Sequence, residues 1–289
     1  MARAASGQNG TVTCRLLARG RFRCRTLFRV PPEQSELNRS EWERVDPHTI
    51  VGYGLRALRP VEALLFNRYR PELAGRVLEI GVGAGTLTRE LAALSDHVTG
   101  IDIAPGMVEA CRAAVPGADI RLGDLSDLSE FGEHAFDVLV AGYNVIDVLG
   151  EAERRTALEG WWRVLAPRGL LIVSVHNLHA AADILAPGRI LARRPREVAG
   201  NVLHRRNRLR NAARLAPFER HEDGWAILVD EAHDHSLLHY YADRDHQARQ
   251  LEELGFTLLE CLDLDGKPVP PGDSAVRSPE LHYVARRSA

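Results

Sequence analysis

The chain has 289 residues, of which 45% are hydrophobic, and its 37 basic and 39 acidic side chains leave a formal net charge of −2. That balance is ordinary for a soluble globular protein and excludes a strongly charged polymer as the default partner, while the length is enough to bury a substantial α/β core. No apolar run approaches the ~18–20 residues of a membrane span, so a cytoplasmic chain with no membrane partner is expected.

Residues 1–40 read as a basic leader, expected to be flexible or extended. Its first 30 residues hold seven arginines (Arg3, Arg15, Arg19, Arg21, Arg23, Arg25 and Arg29) and no acid, and no apolar stretch of the secretory type follows. Cys14, Cys24, Cys111 and Cys261 lack metal-knuckle spacing and read as reduced thiols, with no metal site expected. Lys267 is the only lysine, an arginine bias that fits a GC-rich, bacterial coding sequence. From Glu41 to Arg70 the pattern turns helical, with Leu55, Leu58, Val61, Leu64, Leu65 and Phe66 at three- and four-residue intervals.

The stretch RVLEIGVGAGTLTRELAAL, Arg76 to Leu94, organises the rest. Val77 to Ile80 suits a buried parallel strand, and Leu87, Leu91 and Leu94 share one face of a helix. Between them Gly81, Gly83 and Gly85 provide a turn that can take positive φ and admit a ligand close to the backbone. The next strand, His97 to Asp102, ends in a carboxylate about twenty residues past the turn, where Rossmann-like units hold ribose hydroxyls. Position 86 is Thr, so the dinucleotide pattern G-x-G-x-x-G is broken, and no P-loop sequence occurs.

The run from Glu79 is instead E-x-G-x-G-x-G, which resembles the first motif of the class I S-adenosylmethionine-dependent methyltransferases. The resemblance extends from about Val77 to the C-terminus and implies a Rossmann-like, seven-stranded, mostly parallel α/β sheet with an antiparallel last strand and a helical N-terminal cap. It implies S-adenosyl-L-methionine as cofactor, with Glu79, Gly81, Gly83 and Gly85 round its methionine part and Asp102 on both ribose hydroxyls, next to Ile103. Tyr53 or Arg56, in the cap, would reach the methyl or carboxylate end, the alternative being a plain packing helix with a surface arginine. Met107, just inside a helix begun by Pro105, would lie against the adenine. Asp124, after the strand Ala118 to Leu122, would accept from the adenine amino group, with the backbone of Leu125 beside the ring. The alternatives are a plain core methionine and an aspartate capping a turn.

Phe136 to Val140 is the fourth strand. Tyr143 and Asn144 run off its carboxyl end, where open α/β sheets bind ligands, so Asn144 joins the cofactor set and Tyr143 the acceptor side. The Pro-Pro-aromatic motif of DNA adenine methyltransferases is missing here. Glu151 to Leu165 is an amphipathic helix and Leu170 to Val175 the fifth strand, with His176 at its end as a candidate base or orienting group.

Residues 178–240 form an insertion, expected to be a lid or substrate region. Arg189 to Arg220 holds ten arginines and only Glu197 and Glu219 as acids. Trp225 to Val229 alternates like a strand, among His221, His233, His235, His239 and His246. The resemblance to small-molecule methyltransferases implies that His239 and Tyr240 enter the acceptor pocket. Gln247 to Leu254 is a helix, and Phe256 to Leu262 and Leu281 to Ala285 are the closing strands. The core is thus assigned to 41–177 and 241–289. The reading that follows is an N- or O-methyltransferase acting on a small-molecule acceptor, with a biosynthetic tailoring role, catalytic candidates Tyr143, His176, His239 and Tyr240, and a homodimer compatible with the sequence. An RNA or protein methyltransferase using the arginine-rich insertion, and a non-catalytic cofactor-binding protein, are the alternatives; the shortage of aromatics in the insertion disfavours nucleic acid.

Overall fold

A computed structural model describes residues 11–17, 21–27, 33–43, 57–181, 206–230 and 235–288. The chain divides into two compact units, Met1–Glu33 and Gln34–Ala289. In the first, β1 (Thr11–Leu17) and β2 (Arg21–Leu27) pair as an antiparallel hairpin.

The second unit is built on a parallel sheet. β3 (Val77–Ile80) lies between β4 (Val98–Asp102) and β6 (Phe136–Ala141), with β5 (Asp119–Leu122) outside β4 and β7 (Leu165–Asn177) beyond β6, all parallel. All four residues of β3 are buried, as an apolar strand flanked on both edges requires. β12 (Glu280–Arg287) pairs antiparallel with β7, and β11 (Phe256–Leu262) antiparallel with β12. The sheet is therefore the mostly parallel one with an antiparallel last strand expected above.

Period-two alternation divides the core between the faces of this sheet. Leu139 and Ala141 join Leu78, Ile80, Leu158 and Trp161 on one side; Val138 and Val140 join Val61, Leu65, Leu87 and Leu91 on the other. The first face is covered by α6 (Glu151–Val164), whose Trp161 donates its indole N–H to the Leu125 carbonyl at 2.9 Å. The second is covered by α2 (Pro60–Arg68), the short α3 (Arg70–Leu73) and α4 (Thr86–Ala92). α5 (Pro105–Ala114) packs Val108 and Cys111 on Val82 and Ile120. The helical pattern of 41–70 is not one helix: α1 (Gln34–Trp42) begins inside the segment assigned to the leader, and Pro60 and Pro71 each open a new helix. Residues 44–56, with Tyr53 and Arg56, lie outside the described residues.

The insertion departs from the minimal fold. A helix over 206–215, here α7, precedes an antiparallel ribbon of β8 (Arg220–Glu222), β9 (Trp225–Val229) and β10 (Leu238–Ala242). β10 pairs in parallel with His176 and Asn177, on the edge of β7 that β6 no longer occupies after Val173, the other edge being taken by β12. The ribbon therefore extends the sheet beyond the carboxyl ends of its parallel strands. α8 (Arg244–Glu253) follows, its first turn capped by Asp243, whose carboxylate accepts the His246 N–H at 2.6 Å. Among the described residues no helix is long and apolar enough to cross a membrane.

Candidate active site

The turn after β3 is fixed by two backbone bonds, from the N–H groups of Gly81 and Val82 to the Ile101 carbonyl at 2.8 and 3.1 Å. Gly81 has φ +73° and Gly83 φ +51°. A Cβ at Gly81 would stand 2.4 Å from Val145 Cγ2, whereas one at Gly83 would meet nothing within 4 Å, because that residue faces a cavity of about 430 Å³ at the carboxyl end of the sheet. Gly81→Ala is accordingly expected to destabilise the fold by about 1–3 kcal/mol, combining strain and overpacking; urea unfolding checks this, and an unchanged midpoint would contradict it.

Asp102 closes β4 at the cavity wall. Its Oδ2 accepts the Gly83 N–H and its Oδ1 the Ala104 N–H, both at 2.9 Å, with the Ile103 amide also helping. Burial raises its pKa despite these donors. A carboxylate has about four acceptor sites and the three amides take three of them, so capacity remains on the cavity side for a sugar hydroxyl.

Glu79 lies beneath the turn at 1% exposure, and its Oε2 has no hydrogen-bond partner among the described residues. Burial lifts its pKa to about 8, against a Thr88 hydrogen bond and aided by the charge of Asp102. With the folded value raised above the ordinary 4.5, the native state holds a proton that the unfolded chain releases. The stability tied to that proton is present below pH 4.5 and declines as pH rises through 4.5 to about 8. Glu79→Gln should flatten this slope in unfolding measurements across that window; an identical pH dependence would refute the assignment. A cationic amine brought into the cavity would satisfy the unpartnered oxygen and draw the proton off.

Met107, Asp124 and Leu125 line the same cavity. Asp124 also performs the turn-capping role weighed as its alternative, its Oδ1 accepting the Ser126 N–H at 2.9 Å and hydroxyl at 2.6 Å, and it pairs with Arg39 of α1. Burial would raise its pKa, but the Ser126 and Arg39 bonds outweigh that and lower it. Gly85 stands apart, at the N-cap of α4 and not on the cavity wall; its added Cβ would lie 3.3 Å from Cys111 Sγ, so it serves helix packing.

At the other end of the cavity the backbone turns sharply, with Tyr143 at φ 52° and Asn144 at φ 59°. The Asn144 N–H donates to Ser174 Oγ at 2.7 Å, and its side-chain amide donates to Glu280 Oε2 at 2.7 Å. Arg59 pairs with Glu280 and lies 4.5 Å over the Tyr143 ring. Beyond this wall two imidazoles border the cavity. His176 Nδ1 is 2.8 Å from Asp147 Oδ2, which also accepts the His176 backbone N–H at 2.7 Å. His239 Nδ1 is 2.7 Å from Asp230 Oδ2, to which Tyr241 donates its hydroxyl at 2.8 Å. The two imidazole centroids are 5.2 Å apart.

Of the sixteen candidates named from sequence, twelve line the cavity, Gly85 and Tyr240 do not, and Tyr53 and Arg56 lie outside the described residues. Alternation along β10 sends Tyr240 to the opposite face from His239. There it is fully buried, stacks on Trp225, lies under Arg154 and bonds to Glu151 and His246. An acceptor in the cavity cannot touch it. Sequence reasoning also left Arg59, Asp147, Asp230 and Glu280 without roles, and α1 as well. That helix is pinned over the site by Asn38, which donates to the carbonyls of Val148 and Leu238 at 3.0 and 2.8 Å and accepts the Leu238 N–H. Among the described residues no three His, Cys, Asp or Glu converge as metal ligands; His233 lies outside them.

Residues 77–169 match the family described as Methyltransferase domain. Over 138 residues the chain is 34% identical to a ubiquinone biosynthesis O-methyltransferase of Xanthomonas oryzae, covering 46% of this chain and 56% of the relative. Over 106 residues it is 31% identical to the demethylmenaquinone methyltransferase of Clavibacter sepedonicus, covering 36% and 42%. The chain thus spans about half the length of the curated relatives it matches. Among solved structures, the Burkholderia thailandensis 1,6-didemethyltoxoflavin-N1-methyltransferase, with its substrate and S-adenosylhomocysteine bound, aligns with TM-score 0.57 and 15% identity over 96% of this chain and 99% of that one. The CcbJ methyltransferase of Streptomyces caelestis aligns with TM-score 0.53 and 18% identity over 89% and 98%. The chain has the fold of the class I S-adenosylmethionine-dependent methyltransferases.

Proposed function

We propose that this chain is an S-adenosylmethionine-dependent methyltransferase that places a methyl group on an oxygen or nitrogen of a small molecule, as a tailoring step in cytoplasmic biosynthesis. The observation that carries the reading is one continuous cavity. It runs from the Gly81–Gly83 turn and the Asp102 carboxylate at one end to the two carboxylate-backed imidazoles at the other. The name of one curated relative, a ubiquinone biosynthesis O-methyltransferase, supports the same class of chemistry.

In this reading Asp102 holds the ribose, Asp124 and Leu125 border the adenine beside Met107, and the buried Glu79 oxygen receives the methionyl ammonium. The bound cofactor supplies an electrophilic methyl on a sulfonium. Transfer is an in-line displacement, so the protein contributes mainly by aligning the acceptor and excluding water. Val145, Val148 and Leu149 give the acceptor end apolar walls, while α1, held by Asn38, closes it from above. Tyr143 and Asn144 shape the boundary between the two halves.

Isothermal titration with S-adenosylhomocysteine tests the proposal. Binding in the micromolar range is expected, accompanied by proton release from Glu79 that appears as a dependence of the heat on buffer ionisation. No binding at high micromolar concentration removes the reading.

A further inference from the structure

Asp124 holds its own turn and helix α1 with one carboxylate. Its Oδ1 accepts the Ser126 N–H at 2.9 Å and the Ser126 hydroxyl at 2.6 Å, which fills that oxygen. Its Oδ2 accepts from Arg39 Nη2 and keeps an acceptor site to spare. An adenine amino group can therefore donate to Asp124 without displacing Arg39, and the same carboxylate then joins helix and nucleoside.

The two halves of α1 are attached by different chemistry. Near its start the anchors are buried amides: Gln34 donates to the carbonyls of Asp147 and Leu238 at 2.9 and 2.8 Å, and Asn38 exchanges bonds with the Leu238 backbone. Gln34 is 6% exposed and Asn38 1%, and Leu37 packs on the core beside them. Toward its end α1 makes ion pairs at the surface, Arg39 with Asp124 and Glu41 with Arg214 of α7, the second at 3.7 Å. Of these, the Arg39–Asp124 pair borders the cavity. The Arg39 side chain is 44% exposed and that of Asp124 26%, so water and salt screen their attraction while the cavity is open.

We propose that Arg39 is a positioning residue for the cofactor that acts through Asp124: it seats the end of α1 over the adenine end of the cavity, and the pair opens to let the nucleoside leave. This rests on the methyltransferase reading above. A nucleoside lying against Asp124 shields the pair from water, and a charge pair gains as the local dielectric falls. Linkage makes the effect reciprocal, so the seated helix holds the nucleoside. Because the contact is strongest in the occupied site, its loss acts chiefly on the rate of release.

The test uses the full chain and S-adenosylhomocysteine, with two readouts: release of labelled ligand chased by unlabelled ligand, and hydrogen exchange of the α1 amides. In the wild type, bound ligand is expected to slow exchange along α1, and added salt to quicken release. Arg39→Ala should release the ligand about fivefold faster, flatten the salt dependence and lose the protection of α1. Arg39→Lys keeps the charge and should restore part of each. A wild-type release rate in Arg39→Ala overturns the proposal. So does wild-type release indifferent to salt, or α1 exchange unchanged by ligand; in each case the methyltransferase reading stands. Failure of the wild type to bind S-adenosylhomocysteine removes that reading itself. The two wild-type measurements decide the matter even where a variant does not fold.

Discussion

Asp102→Ala is expected to weaken S-adenosylhomocysteine binding by on the order of a hundredfold. A hydrogen bond from a ribose hydroxyl to a carboxylate is worth up to about 3 kcal/mol, and each 1.4 kcal/mol is a factor of about ten. The loss is specific to binding only if the turn survives, because Asp102 also accepts the Gly83 and Ala104 amides at 2.9 Å. Asp102→Asn separates the two contributions. Its amide oxygen still accepts a backbone N–H and its NH₂ group can donate to a sugar oxygen, so affinity should fall less while the melting temperature stays closer to that of the wild type. Titration calorimetry with thermal melts on both variants reads this out. Wild-type affinity in the alanine variant would remove the cofactor from this end of the cavity.

The glycine-turn end of the cavity was legible because its signals are local. A four-residue apolar strand, glycines at alternate positions and an acid at the next strand end all lie within Val77 to Asp102, and each acts through its own backbone. Asp124 followed by order along the chain. The opposite end was only partly legible because its geometry comes from contacts remote in sequence. Asp147 meets His176 across 29 residues, and Asn144 meets Glu280 across 136. Sequence named His239 and Tyr240 together as pocket residues, but a strand turns neighbours to opposite faces, and which face borders the cavity depends on β10 pairing with the end of β7. The insertion showed its charge and its strand-like Trp225 to Val229, yet not that a ribbon would extend the sheet beyond its parallel strands. Helix α1 is held by side-chain amides bonded to distant carbonyls, an attachment with no sequence period.

The buried pair behind His176 carries the second large effect. Arg154, on α6, is fully buried: Nη1 donates to Asp147 at 2.6 Å, Nη2 donates to Gln247 of α8 at 2.6 Å, and the guanidinium lies 4.2 Å over the Tyr240 ring. It ties α6, the turn carrying Asp147, α8 and β10 together at one point. Removing one partner of a buried ion pair leaves an uncompensated charge, which costs about 3–5 kcal/mol. Arg154→Leu should therefore lower the melting temperature by about 10 °C or more, at roughly 2–4 °C per kcal/mol for a domain near this size. Replacing both partners, Arg154→Leu with Asp147→Leu, removes the stranded charge and should recover part of the loss, since paired apolar replacements of buried ions are often neutral. The double variant nonetheless loses the carboxylate that accepts the His176 backbone N–H, so its melting temperature should recover only in part. If the arginine variant alone melted like the wild type, the pair would not be the structural tie described.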